Sequence, residues 1–130
     1  MSDSPADDRV AALAERLLDA ARKGDTATLT AYVDAGAPVD LAGDTGDTLV
    51  MLAAYHGQTS TVRALLDRGA DVEAANERGQ RPLAGAVFKG HLDVVRLLVE
   101  AGADPDAGRP SARATATMFE RHDMLDVMGV

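Results

Sequence analysis

Apolar residues recur along the chain at one fixed spacing, a period of about 33 residues that lies in the range typical of stacked repeats. Small residues and glycines follow the same spacing, so several kinds of position repeat together. Self-similarity of this kind predicts a stack of structural units. The apolar sets are Leu17, Val50 and Leu83; Leu29, Val62 and Val95; and Val33, Leu66 and Val99. The small sets are Ala20, Ala53 and Ala86; Gly24, Gly57 and Gly90; Gly36, Gly69 and Gly102; and the pair Gly46 and Gly79.

Each repeat is predicted to contain two short helices. The first begins near Thr48 or Pro82, because threonine caps a helix well and proline suits the first helical position. It ends at a glycine, which adopts the left-handed conformation that closes a helix. The second helix carries apolar residues at helical spacing, here Leu92, Val95, Leu98 and Val99. Such short helices are marginal alone, so each unit must bury a face against its neighbours.

The middle units resemble the ankyrin repeat, whose pattern is G-x-T-P-L-H-x-A-A-x-x-G-H followed by an apolar helix and G-A-D. One unit reads GQRPLAGAVFKGHLDVVRLLVEAGADPDA, the unit before it reads GDTLVMLAAYHGQTSTVRALLDRGADVEA, and the first keeps AARKGDTATLTAYVDAGAPVD. The resemblance implies an all-α solenoid of stacked helix-turn-helix units joined by short β-turn or hairpin loops. We expect a single domain with units at about 9–40, 41–73, 74–106 and 107–130, and a mobile acidic segment at 1–8. In the last unit, Ala114–Arg121 is expected to form the first helix and Met124–Met128 a shortened second helix.

Composition excludes several functional classes. The chain of 130 residues carries a net charge of −8, which disfavours nucleic acid as a partner because phosphate binding needs a basic surface. It has no cysteine, so disulfides and thiolate chemistry are excluded. No secretory signal and no apolar run of about 20 residues are present. We therefore expect a soluble, cytoplasmic protein without membrane contact. The sequence also lacks phosphate-binding glycine loops and a nucleophile elbow, so we expect neither a cofactor nor catalysis.

The resemblance implies that a partner binds the concave surface made by the loop tips and the first helices. The helix-end row is the pair of residues before each first-helix glycine: Arg22-Lys23, Tyr55-His56, Phe88-Lys89 and, in the last unit, Arg121-His122. No acidic residue occurs in this row. Cations near a helix C-terminus gain about 0.3–1 kcal/mol from the helix dipole, which explains the cations without a ligand. It does not explain Tyr55 and Phe88, which are expected to face solvent. Aromatic residues are typical anchors of interfaces. The row predicts a partner with an acidic patch and an apolar contact.

A second group of candidates, the loop-tip row, mixes acidic, basic and polar residues. It contains Asp44, Thr45 and Asp47 in one loop and Glu77, Arg78, Gln80 and Arg81 in the next. Asp44, Asp47 and His56 could approach one another and bind a metal ion weakly, although solvated loop residues are the simpler interpretation. His91 matches the Gly-His position of the family and is interpreted as structural.

Three functional hypotheses follow. The first is a non-catalytic module that binds an intracellular protein as an adaptor, inhibitor or antidote-like partner, and is itself a monomer. The second is a structural protein that self-associates through its last unit. The shortened last helix is interpreted as a compact cap; the alternative, on which self-association depends, is that it leaves Met124, Leu125, Val127, Met128 and Val130 partly exposed. The third is a metal binder or enzyme at Asp44, Asp47 and His56.

Overall fold

The computed structural model describes residues 5–129, with side chains from residue 8 onward, and this part of the chain folds into eight α-helices. They follow one another as four pairs. The first helices of the pairs are α1 (Pro5–Lys23), α3 (Leu49–Tyr55), α5 (Pro82–Lys89) and α7 (Ala112–Met118). The second helices are α2 (Thr26–Asp34), α4 (Thr59–Asp67), α6 (Leu92–Glu100) and α8 (His122–Met128).

The helices form two layers. Each first helix contacts the first helix of the next pair, each second helix contacts the next second helix, and the two members of a pair contact each other. This confirms the prediction of an all-α stack. A single β-bridge joins Ala42 to Thr48 in the first connecting loop, and it is the one element of hairpin geometry assigned in the described residues. None of the described helices combines the length and apolar character that a membrane span requires.

The predicted helix starts are confirmed. Thr48 is the N-cap of α3, where its hydroxyl oxygen accepts a hydrogen bond from the backbone N–H of Met51 at 3.3 Å. Pro82 is the first residue of α5. Ser111 caps α7 in the same way as Thr48 caps α3, through the N–H of Ala114 at 3.1 Å. These caps satisfy donors that the helix itself leaves unpaired.

Aliphatic residues and alanine fill the space between the layers. The repeated positions Leu17, Val50 and Leu83, and the alanines Ala20, Ala53 and Ala86, are all buried. Thr61 interrupts the apolar face of α4, and it is buried too. Its hydroxyl lies 2.7 Å from that of Thr26 in α2, so the buried polar group has a partner in the neighbouring unit.

A ladder of side chains links each unit to the one before it. Gln58 donates to the carbonyl oxygen of Arg22 at 2.8 Å, His91 Nε2 contacts that of Tyr55 at 3.1 Å, and Arg121 donates to that of Phe88 at 3.2 Å. The three side chains extend from equivalent positions, the N-caps of α4, α6 and α8. The ladder leaves no room for a side chain at Gly57, which has a φ of +71° and where a Cβ would lie 2.7 Å from the His91 ring. The structural role predicted for His91 is thus confirmed.

The fourth unit is out of step with the repeat period. The N-caps Thr48 and Arg81 keep the repeat spacing, whereas Ser111 comes three residues too early. As a result the predicted first helix, Ala114–Arg121, was placed too late. The helix instead spans Ala112–Met118, and Arg121 already caps α8. Glu120, with a φ of +53°, occupies the position that Gly24, Gly57 and Gly90 hold in the other units.

The last helix packs as the compact cap that the sequence predicted. Met124 and Met128 are 2% and 8% exposed and belong to the core, so the alternative of a partly exposed end is wrong for these two residues. Leu125 and Val127 pack against that core as partly buried residues, and Val130 lies outside the described residues.

At the other end of the chain, helix α1 begins at Pro5, inside the segment 1–8 that was expected to be mobile. Residues 1–4 lie outside the described part of the chain. The mobility of that segment stays a prediction.

Candidate functional site

The helix-end row lies on the surface made by the first helices and the loop tips, which we call the first-helix face. The side chains of Tyr55 and Phe88 on this face are 37% and 48% exposed. The assignment of Arg121 and His122 to this row was wrong, because the fourth unit is three residues shorter. The equivalent residues are Met118 and Phe119, which are 71% and 46% exposed. His122 is an exposed residue at the start of α8.

Aromatic rings on this face contact one another and two cations. The rings of Phe88 and Phe119 meet edge to face with centroids 5.5 Å apart, and Tyr55 meets His56 in the same way at 5.5 Å. Lys89 Nζ lies 5.2 Å from the centroid of the Tyr55 ring, and the guanidinium carbon of Arg121 lies 5.9 Å from that of Phe119. Both distances allow cation–π attraction.

An apolar cleft of about 280 Å³ opens between these side chains. It exists because α5 presents two small residues, Ala84 and Gly85, where α3 carries Met51 and Leu52 at equivalent positions. The missing side-chain volume in the third unit leaves a gap between the second and fourth. The lining comprises Met51 and Tyr55 of α3, Ala84, Gly85 and Phe88 of α5, Thr115 and Met118 of α7, Phe119, and the loop residues Gln80 and Pro110.

Several cations next to the cleft are not neutralised by carboxylates. Lys89, Arg109 and Arg121 flank lining residues of the cleft, and none of them takes part in the ion pairs of the described residues. Those pairs join Lys23 to Asp19, Arg68 to Asp34, Arg81 to Glu73, Arg96 to Asp93, and Arg113 to Asp106. Lys23, although in the predicted row, is therefore engaged: the Asp19 carboxylate accepts its hydrogen bond at 2.8 Å and raises the pKa of Lys23.

The loop-tip row is organised by Asn76, a residue that the sequence analysis did not select. Its side-chain N–H groups donate to Asp47 at 2.9 Å and to Gln80 at 2.8 Å. Its side-chain carbonyl oxygen accepts hydrogen bonds from the backbone N–H groups of Arg78 and Gln80. Asp47 also accepts from the Thr45 hydroxyl at 2.9 Å. Asp47, Gln80 and Thr45 therefore hold the loops in place through their side chains. Asp44, Glu77 and Arg78 are exposed, as are Thr45 and Gln80.

The two predicted rows meet in a second cleft of about 280 Å³. It shares Met51, Tyr55 and Gln80 with the apolar cleft, so the two form one continuous surface. The loop-tip and helix-end residues that it adds are Thr45, Asp47, His56 and Arg78. Arg22 and Lys23 of the helix-end row are exposed at the end of α1 and line neither cleft.

The described residues contain no group of three His, Asp or Glu side chains arranged to hold a metal ion. Asp44, Asp47 and His56 do not form one, and the Asp47 carboxylate is already bonded to Thr45 and Asn76. The third hypothesis has no geometric support.

Comparison with known proteins identifies one family. A family model described as ankyrin repeats (3 copies) matches residues 17–109, which correspond to the first three helix pairs. The fourth pair, with its shorter period, lies beyond the match. No curated protein matches the chain.

Proposed function

Because the chain belongs to the ankyrin-repeat family, we propose that it is a non-catalytic module that binds another protein through its first-helix face. Ankyrin repeats generally mediate protein–protein interaction. The finer part of the proposal is that the chain acts as a monomeric adaptor, inhibitor or antidote-like partner of a cytoplasmic protein. The observation that supports it most directly is the cluster of exposed large apolar side chains on one face: Tyr55, Phe88, Met118 and Phe119.

Exposed apolar side chains clustered on one surface favour an interface, whereas isolated ones are ordinary. Apart from Val10 of α1, the exposed large hydrophobic residues in the described part of the chain all lie on this face. Aromatic residues are enriched among the anchors of interfaces. The surface is carried by packed helices, so little conformational entropy is lost on binding.

The proposal is tested by affinity capture from native lysate. The tagged chain is compared with a Tyr55→Ala, Phe88→Ala double variant whose helicity is verified by circular dichroism. A Val10→Ala variant is the matched control, because it truncates an exposed apolar residue that lines neither cleft. We expect a protein that is retained by the wild type and by the control but lost by the double variant. Equal retention by all three would contradict binding through this face.

Self-association through the last unit receives no support from the side chains expected to drive it, since Met124 and Met128 are buried.

A further inference from the structure

The size of the apolar cleft limits what it can receive. At about 280 Å³ it falls just below the roughly 300–1,000 Å³ typical of small-molecule sites. It is bounded by Phe88 and Phe119 on one side and by Met51 and Tyr55 on the other. Methionine and aromatic walls adapt to a bulky apolar side chain and anchor it well. These dimensions suit one or two side chains of a protein segment.

The charged residues at the rim of the apolar cleft limit which groups of the occupant can lie beside its apolar side chain. Lys89 lies over the Tyr55 ring at one wall, and Arg121 lies over the Phe119 ring at the other. Arg121 also keeps one guanidinium nitrogen, Nε, buried without a hydrogen-bond partner. Among the charged residues adjacent in sequence to a lining residue, Glu120 is acidic, Lys89 and Arg109 are basic, and Arg81 is paired with Glu73. A local cationic rim on a chain of net charge −8 favours a carboxylate in the occupant, because charge-assisted bonds to guanidinium are strong.

We infer that the apolar cleft receives a bulky apolar side chain from a partner segment that carries an aspartate or glutamate close to that side chain. This inference rests on the proposed function and names the partner's chemistry. The apolar side chain fills the gap above Ala84 and Gly85, and the carboxylate meets Lys89 or Arg121 at the rim. A segment with a basic residue next to its anchor is repelled by the same rim.

The probe is a library of random 12-residue peptides displayed on phage and selected on the immobilised full-length chain. The selection uses the wild type alone, so that a Gly85→Leu variant remains an independent test of the enriched peptides. Leucine, which the chain itself carries at the equivalent position Leu52, fills the cleft without removing any lining side chain. We expect the enriched peptides to share a Leu, Phe, Met or Trp within two residues of an Asp or Glu. Failure to enrich any peptide, or enrichment of basic peptides, would overturn the inference.

A synthetic copy of an enriched peptide is then titrated by fluorescence anisotropy. We expect Gly85→Leu to weaken binding about tenfold or more, as for loss of a central anchor. Met118→Ala gives a second test that removes little core packing, since this side chain is 71% exposed; it should weaken binding severalfold. Lys89→Glu should weaken binding, whereas Arg63→Glu, the same charge change on exposed α4 surface, should not.

The outcomes separate this inference from the proposed function. One outcome is that the peptides fail to bind the Tyr55→Ala, Phe88→Ala variant but bind Gly85→Leu and Met118→Ala normally. This would contradict binding in the apolar cleft and still agree with binding through the first-helix face. Light scattering at several concentrations tests the remaining occupant, a second copy of the chain. A dimer abolished by Gly85→Leu would also overturn the inference, whereas a monomer at all concentrations agrees with it.

Discussion

Gly85 lies in the interior of α5, and its replacement by alanine should make the protein more stable while reducing its affinity for the partner. Glycine in a helix interior is about 0.8–1.0 kcal/mol less favourable than alanine, because it loses more backbone entropy on folding. A Cβ at Gly85 would lie 3.5 Å from Cδ2 of Tyr55, which is ordinary van der Waals contact, so no steric cost opposes the gain. We expect a stabilisation of about 1 kcal/mol.

Urea unfolding followed by far-UV circular dichroism measures this change directly. In a thermal scan the same free energy corresponds to a rise in Tm of about 3–6 °C for a chain of this size. The added methyl group enters the apolar cleft, so the affinity of a cleft-binding peptide should fall. The variant therefore separates stability from binding, since the two change in opposite directions.

Gly69→Ala provides the matched control. Gly69 has a φ of +86°, and no atom lies within 4 Å of a Cβ built there, so the substitution adds backbone strain without a new contact. A left-handed alanine costs about 1–2 kcal/mol, which exceeds the roughly 0.5–1 kcal/mol gained by removing the conformational freedom of glycine, so this variant should be destabilised. If Gly85→Ala proves neutral or destabilising while Gly69→Ala behaves as expected, the reasoning about space beside Tyr55 is refuted.

Three further substitutions test the caps, an ion pair and the offset fourth unit. Thr48→Ala removes the N-cap bond to Met51 and should cost about 0.5–2 kcal/mol in urea unfolding; an unchanged midpoint would contradict the capping role. Asp34→Asn removes the carboxylate whose pKa is lowered, first by its hydrogen bond from Arg68, from an ordinary value of 3.8. A lowered folded-state pKa stabilises the protein above the unfolded value, so the variant should be less stable at pH 7, and its deficit should shrink as the pH falls below about 4; a pH-independent deficit in urea midpoints would exclude this linkage. Glu120→Gly relieves the strain of a left-handed backbone at φ +53°. The variant should be more stable by about 0.5–1 kcal/mol, which is the strain energy relieved minus the entropic cost of introducing glycine. A loss of stability in urea unfolding would argue against strain at this position.

The first three helix pairs could be predicted from the sequence because their spacing is regular and because clear residue signals mark where their helices start and end. Thr48 and Pro82 mark helix starts, and the glycines mark helix ends. The fourth pair lacks both the glycine and the spacing, so extrapolation by one repeat period failed there. A weaker signal was present: Ala116 is buried at the position of Ala53 and Ala86, and it comes three residues earlier than the period requires.

The candidate site was predicted in part. Exposure of Tyr55 and Phe88 follows from helical periodicity alone, and the structure agrees. The cleft was not predicted, because a gap depends on the volumes of three neighbouring units together and not on any one motif. The small residues Ala84 and Gly85, set against Met51 and Leu52, carry that signal in the sequence. Nor was Asn76 selected, since its role depends on two loops meeting in space.

One wall of the cleft, Met118 and Phe119, belongs to the fourth helix pair, whose main contacts outside the pair run to α5 and α6. In a stack with nearest-neighbour coupling, such a pair can open locally while the other units stay folded. Opening would remove that wall, so a ligand held there binds the closed form preferentially and shifts the opening equilibrium. Amide hydrogen exchange in α7 and α8 should therefore slow on ligand binding by more than exchange in α1 and α2. Opening of this pair would then set how much of the protein is competent to bind.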